Sequence, residues 1–230
     1  MESSSEVQSV IEVAQRHLLE RVPKSEILAV YLKGSQAHGM TNANSDIDLV
    51  VILKSDEYFS VVYDIRKEVG PTTQPPFSYS AYTLDELRTG KFLPNRPPIS
   101  GVSRFVKHLD ALPLVYGERP PEPLFRRSDE KDLEINIRNF HTIFFPAYDA
   151  KTISFSELVK QVLWLAEAEA RVRGANVAHS WRGAVAALPD AHIAHEALKY
   201  RVSGDPILEK QEEFLEKLKA HLSTLAVSTS

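Results

Sequence analysis

The stretch "YLKGSQAHGMTNANSDIDLVVIL", Tyr31 to Leu53, decides the fold. An apolar run, "ILAVYLKG" (Ile27–Gly34), stops at Gly34-Ser35. A polar loop follows, and Ser45-Asp46-Ile47-Asp48 then enters a second apolar run, "DIDLVVIL" (Asp46–Leu53). Both runs have the length and β-branched content of strands, and the second reads as buried on both faces, as at the centre of a sheet. Alternate side chains of a strand share a face, so Asp46 and Asp48 are expected to point the same way, with Cα atoms ~6.5–7 Å apart. Two like charges that close persist when a cation or water compensates them. An oxygen-only pair suits a hard cation such as Mg²⁺, which takes one or two protein carboxylates and fills its octahedron with water and phosphate oxygens. Gly34 allows close approach of the backbone to a ligand, and Ser35 adds a hydroxyl donor. A following helix turn would offer free N–H groups to an anion. Phosphate donors and metal carboxylates thus fall on neighbouring strand ends, which outlines a site for a nucleoside triphosphate and Mg²⁺.

Working outward, Val7, Val10, Ile11, Ala14 and Leu18 recur at helical spacing before the first strand. Residues 56–69 read as a helix broken at Gly70-Pro71. "FSYSAYTL" (Phe77–Leu84) and "LPLVYG" (Leu112–Gly117) read as a third and fourth strand, separated by a proline-rich loop over 90–101. "ERPPEPLF" (Glu118–Phe125) carries three of the 14 prolines and suits a semi-rigid linker. Beyond it the pattern is helical throughout. Leu133, Ile137, Phe140 and Phe144 form one face, and Phe155, Leu158, Val159, Val162 and Ala166 another. Short helices are expected around Ala184 and Ala194, and a last one along Ile207, Phe214, Leu215, Leu218 and Leu222.

With 230 residues the chain can form two domains, expected at 1–122 and 123–230. A net charge of -4 lacks the basic footprint of a non-specific nucleic-acid binder. The absence of cysteine removes disulfides, thiolate zinc ligands and thiol nucleophiles. No 18-residue apolar window exists and the N-terminus "MESSSEVQSV" is polar, so neither a membrane span nor a signal peptide is expected, and the expected location is cytoplasmic.

The motif Gly34-Ser35-x-Ala37-x-Gly39 followed by Ser45-Asp46-Ile47-Asp48-Leu49 resembles the signature of the nucleotidyltransferase superfamily of DNA polymerase beta. Within it, the chain is similar to aminoglycoside adenylyltransferases of the streptomycin and spectinomycin type. "LPLVYGERPPEPLF" resembles their strand and proline-bearing linker; "AVAALP" (Ala184–Pro189) and "EALKYRVSG" (Glu196–Gly204) resemble their helical half. The resemblance implies an α/β (α+β) nucleotidyltransferase fold, a small mixed sheet with helices, followed by an all-α helical bundle. It implies transfer of AMP from ATP to a hydroxyl of a small molecule, with Mg²⁺ as cofactor. Asp46 and Asp48 would be the catalytic and metal residues, and Gly34, Ser35, Ser45 and His38 would bind nucleotide and phosphate. Lys33, Arg104 and Lys107 are further cations that could approach phosphates, with a surface position as the other reading.

The chain departs from that pattern at the third carboxylate, expected on the strand "FSYSAYTL". The site-facing positions there are Ser78 and Ser80, or else the Phe77/Tyr79 face, and none is acidic. Asp85 and Glu86 follow the strand and read as a helix N-terminal turn. Three outcomes stay open: a carboxylate from the helical half (Glu134, Glu167 or Glu169), an ionisable group on the acceptor, or nucleotide binding without transfer. A macromolecular acceptor, as in toxin–antitoxin systems of this fold, is the alternative to a small molecule. Trp164 and Trp181 read as core, with stacking on a ligand as the second reading. Asp149 and Glu157 read as caps. His192-x-x-His195 has helical spacing for a metal pair but shows no third ligand.

Overall fold

The computed structural model describes residues 2–34, 46–93, 101–177 and 180–228. The chain divides into two compact units, Met1–Arg126 and Arg127–Ser230.

The first unit is built on helix α1 (Glu2–Arg21), strands β1 (Ile27–Lys33) and β2 (Ile47–Leu53), helix α2 (Phe59–Glu68), strand β3 (Phe77–Thr83), helices α3 (Leu84–Thr89) and α4 (Val102–His108), and strand β4 (Leu114–Gly117). The sheet order is β3-β2-β1-β4. β1 runs antiparallel to β2 and β4, whereas β2 and β3 are parallel. A parallel neighbour needs a crossover, and α2 supplies it. The sheet is therefore mixed. β2 is internal, which is why its apolar run has no polar alternation.

Alternation along the strands sends residues to two different cores. Ile47, Leu49, Val51 and Leu53 join Phe77, Tyr79 and Ala81 under Val10, Ile11, Ala14 and Leu18 of α1 and Val62 and Ile65 of α2. Val50, Ile52 and Tyr82 join Ala29, Tyr31, Leu87 and the Val102, Phe105 and Val106 face of α4 on the opposite side. Tyr82 stacks on Phe105 at 4.7 Å with 8° between the planes. Helix α4 has no counterpart in the sequence reading. It is a single short amphipathic stretch directly after the proline-rich segment.

Helix α3 begins in a capping box. The Thr83 hydroxyl accepts from Glu86 N, and the Glu86 carboxylate accepts from Thr83 N. The other Glu86 oxygen accepts from Leu93 N at 3.0 Å, and the side chain is fully buried. Glu86→Ala leaves two backbone donors without this acceptor. We expect a loss of about 1–3 kcal/mol in urea unfolding, with Glu86→Gln intermediate because one amide oxygen can still accept. An unchanged midpoint for Glu86→Ala would contradict the capping role.

The linker ends in a small ionic knot. Glu122 accepts from Arg126 and from Leu124 N, and Arg119 lies 3.4 Å away. The Arg126 hydrogen bond, aided by the Leu124 amide, holds the Glu122 pKa down at about 2. A depressed carboxylate pKa adds stability above the unfolded-state value and loses it as pH falls toward the folded value. The stability difference between wild type and Glu122→Gln should therefore shrink between pH ~4.5 and ~2. A pH-independent difference would remove the ionic contribution.

The second unit contains α5 (Asp129–Asn139), a π-helical turn (Phe140–Phe144), α6 (Phe145–Asp149), α7 (Phe155–Val172), α8 (Trp181–Ala186), α9 (Ile193–Ser203) and α10 (Leu208–Ser228). The π turn precedes Pro146, which has no N–H to continue the regular ladder, and Phe145 N bonds back to Phe140 O. Phe140 stays in the core with Leu133, Ile137 and the α7 face Phe155, Leu158, Val159, Val162 and Ala166. Phe214, Leu218 and Leu222 of α10 complete that core. Two expectations are corrected here. Ile207 is 69% exposed, because it lies just before α10 rather than on its buried face. The cap of α7 is Ser154, whose hydroxyl accepts from Glu157 N; Asp149 is the last residue of α6.

Candidate functional site

β1 and β2 pair antiparallel, so the end of one lies beside the start of the other. Lys33 is the register partner of Asp48. Gly34 follows directly with φ +73°, a conformation that glycine adopts without strain. Its missing side chain makes room for a carboxylate. A Cβ built there would overlap Asp48 Oδ2 and stand 3.1 Å from Asp48 Cβ and Cγ. The glycine of the motif and its second aspartate are thus in contact, and a side chain at 34 would have to displace the Asp48 carboxylate.

On the other side of β2 the parallel register places Ser78 against Asp48. The Ser78 hydroxyl donates to Asp48 Oδ1 at 2.9 Å. This resolves which face of β3 looks toward the motif. It is the Ser78/Ser80 face, because Phe77 and Tyr79 are buried in the opposite core. The position beside Asp48 that a third acid would use carries a hydroxyl. The parallel pairing of the two strands was the signal that could have singled out Ser78. Asp46 is exposed and immediately precedes β2, while Asp48 is half-buried. Ser35, Ser45 and His38 lie outside the described residues. Arg104 and Lys107 sit on α4, the helix that covers the sheet face to which Asp48 belongs.

Each carboxylate considered as a substitute for the third acid has partners within its own unit. Glu86 is absorbed by the α3 capping box. Within the second unit, Glu134 pairs with Lys131 at 2.6 Å and Glu167 with Arg171 at 3.2 Å. Glu169 is held by His192 and His221. Burial alone would raise the Glu169 pKa; the two imidazole partners outweigh it and keep the group below the ordinary carboxylate range. Trp164 and Trp181 contact each other edge to face at 5.1 Å, and the Arg201 guanidinium lies 5.7 Å from the Trp181 ring, consistent with packing roles inside the helical unit.

A mixed sheet whose adjacent strand ends carry a tight glycine and a carboxylate pair is the arrangement of a nucleotidyltransferase domain. Residues 16–79 match the family model described as polymerase beta, nucleotidyltransferase. The matched segment runs from the end of α1 into β3 and contains Gly34, Asp46, Asp48 and Ser78. This supports a place for the N-terminal unit in the nucleotidyltransferase superfamily. No curated protein matches the chain significantly. Among the described residues no helix is long and apolar enough to cross a membrane.

Proposed function

We propose that the protein is a Mg²⁺-dependent nucleotidyltransferase that moves AMP from ATP to a hydroxyl of a small molecule, with aminoglycoside-like compounds as the acceptor class. The observation that carries this reading is the contact between Gly34 and Asp48 at neighbouring strand ends, inside the segment matched by the family model. The donor set fits the cation. Asp46 and Asp48 offer only oxygens, and both belong to one rigid strand entry, as Mg²⁺ requires of a site that leaves room for phosphate oxygens and water. When bound there, the ion supplies charge neutralisation for the triphosphate.

The chain's own residues have separable parts in this scheme. Ser78 fixes one oxygen of Asp48 by its hydrogen bond, leaving Oδ2 on the glycine side. Gly34 keeps that side open. Gly34, Ser35, Ser45 and His38 bind the nucleotide phosphates in this reading, as the motif's resemblance implies. The acidic balance of the chain favours cationic acceptors over nucleic acid.

A second reading, a nucleotide-binding protein that no longer transfers, draws support from Ser78. General-base assistance is worth ~10²–10⁴-fold, and a serine beside Asp48 does not supply it. One experiment separates the two. The protein is incubated with α-labelled ATP, Mg²⁺ and a panel of aminoglycosides, and pyrophosphate and labelled acceptor are measured. Acceptor-dependent pyrophosphate release supports transfer to a small molecule. Label on the protein itself or on lysate proteins points to a macromolecular acceptor. ATP binding with no label transferred to any acceptor establishes the binding-only reading.

A further inference from the structure

The helical unit carries a second constellation of ligand-type side chains, distinct in sequence from the aspartate pair. Glu169 projects from α7, His192 caps the N-terminus of α9, and His221 lies on α10. His192 Nε2 is 3.1 Å from Glu169 Oε2, and His221 Nε2 is 2.9 Å from Glu169 Oε1. The two imidazole rings stand 4.5 Å apart at 83°. One ligand atom from each residue falls within 4.8 Å of the others. The Glu169 side chain is 1% exposed, His192 5% and His221 18%. The trio is therefore sealed from behind and opens past His221. That opening is a cavity of about 420 Å³, also lined by Asp190, His195, Glu196 and Lys217.

We propose that Glu169, His192 and His221 form a binding site for a first-row divalent transition-metal ion of the Zn²⁺ type, tying α7, α9 and α10 together. Two imidazole nitrogens and a carboxylate oxygen are a zinc-type donor set, whereas Mg²⁺ prefers oxygen alone. Ligand bonds of ~2.0–2.2 Å let one ion touch atoms spaced ~3–4 Å apart, close to the 3.1 and 2.9 Å gaps between Glu169 and the two imidazoles. Three protein ligands would leave such an ion one further position for water or another ligand, and two of the three, His192 and His221, line the cavity. His195, the sequence neighbour that helical spacing pairs with His192, is not in the trio. His192 is a cap rather than a helical residue, so the i, i+3 geometry does not apply.

The cap also sets a chemical condition on binding. His192 Nδ1 accepts from Ala194 N at 3.1 Å, so without an ion the ring proton sits on Nε2 and points at Glu169. A metal ion at Nε2 takes that place. The neutral ring passes to the Nδ1–H tautomer, and the Ala194 amide loses its acceptor. One capping bond is small beside three coordinate bonds, so the exchange favours the ion.

The test uses the full chain, freed of metal by a chelator and titrated with ZnCl₂. We expect one equivalent bound, a raised melting temperature, and a large shift of the Ala194 amide resonance at saturation. His221→Ala and Glu169→Gln should each weaken zinc binding by more than ~100-fold, beyond the ~10–100-fold typical of a supporting partner. His195→Ala, which alters the cavity but not the trio, should keep the wild-type affinity. A dissociation constant weaker than about 1 µM, affinity unchanged in both ligand variants, or an Ala194 amide unmoved at saturation would overturn the proposal. Should Glu169→Gln fail to fold, the more exposed His221→Ala and the wild-type Ala194 resonance still decide it. The site and the aspartate pair lie in different units, so zinc titration and ATP turnover fail independently.

Discussion

If the protein transfers nucleotides as proposed, Asp48→Asn should reduce that transfer by about 10³-fold while leaving the fold intact. The loss follows from charge. A carboxylate that helps neutralise a triphosphate–metal complex contributes several kcal/mol, and each ~1.4 kcal/mol is a factor of ten in rate. The fold survives because asparagine has the same shape and its amide oxygen can still accept from Ser78. The side chain is also half-buried at a strand end rather than in either core. The measurement is pyrophosphate release at saturating ATP and Mg²⁺, with the melting temperature read on the same sample. Asp46→Asn should act in the same direction. It lies exposed ahead of β2, so its effect on stability should be within ~0.5 kcal/mol. Turnover by Asp48→Asn within tenfold of wild type would remove Asp48 from the catalytic site.

The site was legible in the sequence to the extent that it is local. Gly34, Asp46 and Asp48 fall within fifteen residues of sequence, at the end of β1 and the start of β2, so spacing alone brings them forward as candidates. The central position of β2 was legible for a similar reason, since burial on both faces erases polar alternation. Contacts that depend on pairing between distant segments were not. Alternation narrowed the site-facing side of β3 to Ser78/Ser80 or Phe77/Tyr79, but the choice and the contact of Ser78 with Asp48 across 30 residues depend on the parallel register of β2 and β3. The Glu169 trio spans 23 and 52 residues and three helices. In the sequence His192 pairs naturally with His195, and the partner it meets in the fold, His221, stands on the last helix. Local backbone chemistry was missed in smaller ways. Ser154 outcompetes the nearby acids as a cap because its hydroxyl reaches the Glu157 amide. The π turn before Pro146 reflects a missing donor rather than any apolar pattern. Ile207 kept the period of the last helix but precedes its first turn, so periodicity placed it inside and the backbone placed it outside.

Gly34→Ala should disturb fold and site together. Two costs combine. At φ +73° a side chain destabilises the backbone by ~1 kcal/mol or more, and the new methyl overlaps the Asp48 carboxylate, which adds ~1–3 kcal/mol of overpacking. Relief requires Asp48 to swing away, and its anchor to Ser78 opposes that. The variant should therefore lose about 2–4 kcal/mol in urea unfolding and lose ATP binding together with it. A double-mutant cycle separates the parts. In an Asp48→Ala background the carboxylate is gone, so the clash with Oδ2 and Cγ disappears and only the backbone cost and the 3.1 Å approach to Cβ remain. Gly34→Ala should then cost about 1–2 kcal/mol less than in the wild-type background, since contacting residues are not additive. Equal costs in the two backgrounds would mean that Gly34 is required by its backbone angle alone. In that case the contact between the glycine turn and Asp48, on which the assignment of the site rests, would carry no energy.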